Sequence, residues 1–293
     1  MWSFKCGGKV REVKVWNDLI AVGCEDGWFY LFDGNGLIWG KKLTATYYRG
    51  PFNDVNVLSI DLKDLLAVGT DFADGKVYVF DLDGNLIFER AFVSIMGCWE
   101  RPKDVVRVSI DECVAVGAEW LKSEVEVLNR KGDVLKIYEV KGGIRDLKVD
   151  GDVIVGTTEH LYVGRRRFNK PAFKIFTRPL VFSSDDGVYT LKNGLKAIRK
   201  CPHPKIDVSK DLVAVSSERT ALISLEGEML WEVEEKPENV FIRDEDVYLG
   251  FENKIKVFRD GKEVREIEVE GLPVYVGDFA VTVKGDKLFY YQL

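Results

Sequence analysis

The chain is poor in the residues that most catalytic chemistry uses. It has two histidines, His160 and His203, among 293 residues. A Ser-His-Asp triad needs a histidine base, so these are its only candidates, and neither sits in a recognisable catalytic phrase. The five cysteines, Cys6, Cys24, Cys98, Cys113 and Cys201, include no CxxC pair. They read as small buried hydrophobes rather than as a redox or zinc motif. The segment Cys201-Pro202-His203-Pro204 offers two metal ligands with no second pair nearby in sequence, so no metal is expected. Phosphate-loop, dinucleotide and zinc-protease signatures are absent. Acidic residues abound at turns, but no pair stands out for glycoside hydrolysis. These absences lead us to expect neither cofactor nor enzymatic activity.

No apolar run approaches the roughly 18 residues of a membrane span. The opening Met1-Trp2-Ser3-Phe4-Lys5-Cys6 lacks the charged and apolar regions of a signal peptide. A cytoplasmic protein with no membrane partner is the expectation. There is one glutamine, Gln292, beside many Glu, Lys and Arg, a bias of heat-adapted proteins. Such a source would permit a Cys98–Cys113 disulfide inside a cell. Prolines are few, and hydrophobic residues make up 46% of the chain, enough to bury a sizeable core.

The dominant feature is a repeated phrase. Leu19-Ile20-Ala21-Val22-Gly23 returns as Leu65-Leu66-Ala67-Val68-Gly69, Cys113-Val114-Ala115-Val116-Gly117, Val153-Ile154-Val155-Gly156 and Leu212-Val213-Ala214-Val215-Ser216. Weaker copies are Leu180-Val181-Phe182-Ser183, Val247-Tyr248-Leu249-Gly250 and Phe279-Ala280-Val281. The mean spacing is about 37 residues, near the period of WD repeats. An alternating strand precedes each phrase, separated from it by a tight turn ending in an acid, such as Asn17-Asp18 or Lys63-Asp64. The phrase is continuously apolar because a middle strand is buried on both faces, and its Ala and Gly let neighbouring sheets approach closely. A third strand, a glycine turn such as Asp83-Gly84 or Lys131-Gly132, and a fourth strand complete the unit.

Four strands per unit make a propeller blade. The expected fold is an all-β propeller forming a single domain over residues 1–293. Eight blades are expected, or seven if residues 144–204 form one blade with an insertion. The last unit supplies three strands, and Trp2-Ser3-Phe4-Lys5 resembles the fourth strand Leu37-Ile38-Trp39-Gly40-Lys41. The N-terminal strand is therefore expected to complete the last blade and leave no open edge.

These repeats resemble the WD-repeat and quinoprotein-type propeller superfamilies over the whole chain. The Gly-His and Trp-Asp dipeptides of true WD repeats are missing. Gly27-Trp28-Phe29-Tyr30-Leu31-Phe32-Asp33 followed by Leu37-Ile38-Trp39, and Ile223-Ser224-Leu225-Glu226-Gly227-Glu228-Met229-Leu230-Trp231, are similar to quinoprotein-type repeats. The resemblance implies that these tryptophans dock one blade on the next, and in style it is to archaeal propellers of unassigned role. It also carries an enzyme alternative using pyrroloquinoline quinone and calcium. Such enzymes are exported and hold cofactor and calcium through long inserted segments, and this sequence shows neither an export signal nor an adjacent-cysteine pair.

Two features point to binding. The longer connections, 44–53, 71–74, 92–103 and 118–123, all belong to the first three blades and to one end of the strands. They carry Tyr47, Tyr48, Arg49, Phe52, Phe72, Met96, Trp99, Arg101 and Trp120, rich in the aromatic and arginine types that anchor protein interfaces. The second feature is a basic sector. Residues 160–205 hold eleven Lys or Arg against two Asp, a charge of +9, while the whole chain is at −6. Its candidate residues are Arg165, Arg166, Arg167, Lys170, Lys174, Arg199 and Lys200, suited to phosphate or an acidic surface. We therefore expect a scaffold that binds protein through the loop face, with RNA or nucleoprotein association through the basic sector as the alternative. A small-molecule substrate is not expected.

Overall fold

The computed structural model describes residues 1–45, 55–96, 99–192 and 194–293. The described residues contain eight four-stranded sheets and no helix. The chain divides into two compact units, Lys5–Asn169 and Met1–Phe4 with Lys170–Leu293.

The first unit holds sheets over residues 10–42, 57–91, 104–140 and 144–168, each with its strands in sequence order, plus a two-stranded hairpin. The second holds sheets over 174–200, 205–233, 239–268 and 272–292, the last of them joined by the strand Trp2–Lys5 beside Lys287–Gln292. Trp2 stacks on Tyr290 with ring centroids 5.3 Å apart. These are the eight blades of a β-propeller, with the N-terminal strand completing the last blade. Residues 144–204 hold two lean blades, as the eight-blade reading requires.

Each blade follows from its residues. The second strands Leu19–Cys24, Leu66–Thr70 and Val114–Glu119 are buried almost throughout, and the core lies between consecutive sheets. Ala21, Phe29 and Leu31 of the first blade pack on Val57, Ile60, Leu66 and Val68 of the second. The repeated glycine makes this approach possible. A Cβ at Gly23 would stand 2.5 Å from Val57 Cγ1, and one at Gly69 would stand 2.6 Å from Val105 Cγ1.

At the outer strands, aromatic rings dock on the turn of the following blade. Trp39 Nε1 donates a 2.8 Å hydrogen bond to the Leu82 carbonyl, and its ring faces Gly84, where a Cβ would be 3.2 Å away. Phe88 meets Gly132 and Trp231 meets Gly261 in the same way. Docking between blades is thus present at the tryptophans where the sequence resemblance implied it.

At the inner strands, a side chain of one blade accepts a backbone N–H from the next. Ile60 N donates to Glu12 at 2.9 Å, Val108 N to Ser59 Oγ at 3.0 Å and Ile110 N to Asp61 at 2.8 Å. Val149 N donates to Ser109 Oγ at 3.2 Å, and Ile242 N to Asp207 at 2.9 Å. An inner strand is a sheet edge with unpaired N–H groups, and this relay satisfies them without adding a strand.

Candidate functional site

Antiparallel order sends the second-to-third-strand connections and the blade-to-blade connections to one end of each sheet. At that end of the unit Lys5–Asn169, the turn at 71–75 is fixed by buried carboxylates. Asn56 Nδ2 donates to Asp71 at 2.6 Å, and Ala73 N donates to the other Asp71 oxygen at 3.2 Å. Burial pushes the Asp71 carboxyl above its ordinary range. Asp74 accepts the Tyr78 hydroxyl at 2.7 Å and the Thr70 hydroxyl at 3.3 Å. Phe72 N donates to the Asp104 carboxylate at 2.8 Å. These acids serve the loop's own hydrogen bonding, and the result is a rigid turn that leaves the Phe72 side chain 44% exposed.

Residues 92–103, expected as a plain connection, form an antiparallel hairpin of Val93–Met96 with Trp99–Pro102. Its base is anchored. Phe92 is buried, its N–H donates to Gly75 O, and Lys103 N donates to Phe92 O, both at 2.8 Å. The largely buried Lys103 ammonium pairs with Glu124. On the hairpin, Ile95 is 76% exposed. The hairpin meets the turn at 120–122 through Arg101, whose guanidinium lies 4.0 Å over the Trp120 ring. Trp120 is 36% exposed and Leu121 70%.

Of the residues singled out from sequence, Arg101 and Trp120 meet at this end of the blades, and Phe72 is exposed on the 71–75 turn. Tyr47, Tyr48, Arg49 and Phe52 lie outside the described residues, as do the side chains of Met96 and Trp99. Ile95 and Leu121 are aliphatic and sit in apolar-looking connections, so composition alone does not mark them as exposed. The alternation of Val93-Ser94-Ile95-Met96 was the available signal.

The basic sector is dispersed. Lys170 pairs with Asp186 at 2.7 Å and covers the Tyr189 ring. Lys174 Nζ donates to Ile206 O at 2.8 Å, and Arg199 pairs with Glu232. Arg165, Arg166, Arg167 and Lys200 remain exposed, with Arg166 against the Phe168 ring at 5.4 Å. The first three close the last blade of one unit, and the others begin the second unit.

The sparse chemical groups are separated. His160 is packed edge-on against Tyr162 at 5.8 Å, whereas His203 is solvent-exposed beside Asp185 at 3.5 Å. Among the described residues no cluster of His, Cys, Asp and Glu has the makings of a metal site. Cys113 is a half-buried thiol whose pKa is raised by burial, and its expected pairing with Cys98 falls outside the described residues.

No family model matches the chain, and no curated protein matches it. Solved structures do. BamB from Moraxella catarrhalis superposes over 100% of this chain and 97% of its own, with a TM-score of 0.72 and 12% identity. The computationally designed Ika8 protein covers 99% and 98% of the two chains at TM-score 0.66 and 14% identity. Saccharomyces cerevisiae Sqt1 covers 99% and 98% at TM-score 0.65 and 14% identity. At such identities the likeness concerns the fold, and it places the whole chain among the β-propellers.

Proposed function

We propose that this propeller is a non-catalytic protein-interaction scaffold whose contact surface is the loop face of the first three blades. One observation carries the reading. Ile95, Leu121, Phe72 and Trp120 are exposed apolar side chains on connections at one end of the first three blades, and the turn that carries Phe72 has its carboxylates satisfied by its own hydrogen bonds. Apolar side chains grouped on a rigid surface mark sites of association, and Trp120 with Arg101 stacked on it is the residue pairing found at interface hot spots. The buried acids at this end, Asp71 and Asp74, are engaged in the loop's own hydrogen bonds, which fits a structural role for them in a binding surface. Pairing of Lys170, Lys174 and Arg199 within the protein gives the nucleic-acid alternative less support.

The test is affinity capture from the native cell extract with the wild type and with the double variant Ile95→Asp, Leu121→Asp, before and after nuclease. Both positions are exposed, so the variant should keep its Tm. Retained proteins should fall about tenfold or more, as expected for losing two apolar anchors, and nuclease should change nothing. Undiminished capture by the variant overturns the choice of face. Release by nuclease favours the nucleic-acid alternative.

A further inference from the structure

The interface between the third and fourth blades has no ring at the outer-strand position that bears one in the first, second and sixth blades; the fifth and seventh blades carry Arg199 and Arg265 at that position. In register, the ring-bearing position of the outer strand lies opposite a fixed residue of the third strand: Trp39 opposite Leu31, Phe88 opposite Val79, Trp231 opposite Leu222. In the third blade the residue at this position, opposite Val127, is Lys136. Its ammonium lies over the Tyr138 ring, 4.3 Å from the centroid. The fourth blade is correspondingly reduced. Its outer strands Leu161–Val163 and Arg166–Phe168 have three residues each, against seven in Val134–Val140. Its turn glycine, Gly164, faces Asp152 of its own blade instead of a neighbouring ring.

A cavity of about 270 Å³ opens where the ring and the longer hairpin would be. Val153, Val155, Tyr138 and Tyr162 make its apolar wall, and Arg165 and Arg167 stand at its mouth. Arg167 is the cross-strand partner of Tyr162. Among the described residues neither arginine has an ion-pair or hydrogen-bond partner. Glu139 also lines the space, so two guanidiniums and one carboxylate leave one net positive charge. A void of this size between packed sheets forfeits contact on every wall, and an unpaired guanidinium pair favours a planar anion held bidentately.

We propose that this cleft binds an arylcarboxylate, whose flat ring takes the place of the missing docking residue and whose carboxylate meets Arg165 and Arg167. The ring is argued from the apolar wall of Val153, Val155, Tyr138 and Tyr162 beside the turn glycine Gly164, and from the indole or phenyl group that the first, second and sixth blades set against the matching glycine. The carboxylate is argued from the two guanidiniums at the mouth, whose planar forks suit a carboxylate held bidentately. The ligand is either a free small acid or the carboxyl-terminal aromatic residue of a polypeptide. This site is separate from the loop face, and its test does not depend on that reading.

The probe is 3-phenylpropionate, titrated into the full chain and followed by NMR, with 3-phenylpropanol as the uncharged control. Saturable binding of the acid is expected, with the alcohol weaker by about tenfold or more. The variant Lys136→Trp should fill the slot and abolish binding while its Tm holds or rises. The exposed pair Arg165→Gln, Arg167→Gln should weaken binding about tenfold or more with an unchanged Tm. A short peptide ending in a free phenylalanine carboxylate, compared with its amide, distinguishes the sources. Tighter binding than 3-phenylpropionate by the free-carboxylate peptide alone assigns a polypeptide terminus, and weaker binding assigns a small acid. No saturation by about 10 mM acid, equal binding of the alcohol, or undiminished binding in folded Lys136→Trp or in the arginine variant overturns the proposal. Tighter binding of phenyl phosphate overturns the carboxylate assignment.

Discussion

Replacing Trp39 should loosen the first blade from the second by an amount the structure lets us divide. The indole is half-buried, edge-on to Phe29 at 5.8 Å, tilted over Phe80 at 6.3 Å, and bonded to the Leu82 carbonyl. A neutral hydrogen bond contributes about 1 kcal/mol net. Truncating a fully buried aromatic to alanine costs about 3–5 kcal/mol, and half burial brings this to roughly 2–3 kcal/mol, hydrogen bond included. Trp39→Phe keeps a ring against Gly84 and loses the donor, so it should cost about 1 kcal/mol. With unfolding entropy near 2.1 cal/mol/K per residue, the 293-residue chain has a total near 0.6 kcal/mol/K. Trp39→Ala should then lower Tm by about 4 °C and Trp39→Phe by about 2 °C. Urea midpoints with unchanged m-values would check both. A Trp39→Ala variant within about 0.5 kcal/mol of the wild type would refute the docking argument. Equal losses in the two variants would place the whole effect in the hydrogen bond.

Other outcomes follow from the same contacts. Gly69→Ala would put a Cβ 2.6 Å from Val105 Cγ1 and 2.8 Å from its carbonyl oxygen, so urea denaturation should show a loss of about 1–3 kcal/mol. Gly143→Ala, whose nearest neighbour would be at 3.6 Å, should be neutral within about 0.5 kcal/mol. Deleting residues 1–6 removes the strand Trp2–Lys5 and the Trp2–Tyr290 stack. It should lower Tm by several degrees and promote aggregation through the exposed edge of Lys287–Gln292, read by light scattering during a thermal ramp. Hydrogen bonding from Arg199, with help from Arg219, holds the Glu232 carboxyl below its ordinary pKa. A depressed folded-state pKa stabilises above the unfolded value and loses that contribution as pH falls through the folded one. Glu232→Gln should therefore narrow the gap between Tm at neutral pH and Tm in acid below pH ~4.

Much of this architecture was legible because one strand per blade is buried on both faces and needs small residues at fixed places. Leu19-Ile20-Ala21-Val22-Gly23 and its copies declare that strand, and Gly23 and Gly69 are where the next blade touches. The docking role of Trp39 and Trp231 was implied by the resemblance of their phrases to quinoprotein-type repeats. The hairpin at 93–102 was not, because its turn has none of the Asn-Gly or Asp-Gly signals that betray other hairpins. Lys136 was also opaque. Only strand register shows that it occupies the place of Trp39, since a bulge beside that position shifts the count along each outer strand. Ser59, Asp61, Ser109 and Asp207 read as ordinary polar positions of alternating strands. Their partners are backbone N–H groups 35 to 49 residues away, which no local pattern encodes.

That relay has a direction. In each pair the accepting side chain precedes the donating strand: Glu12 before Ile60, Asp61 before Ile110, Ser109 before Val149, Asp207 before Ile242. A ribosome releases about 5–20 residues per second, so a blade of about 37 residues emerges over a few seconds. At these four blade pairs the newly made inner strand finds the group that will cap its edge already present in the blade ahead of it. Growth from the N-terminus thus supplies each of these acceptors before its donor, whereas refolding of the whole chain presents both at once.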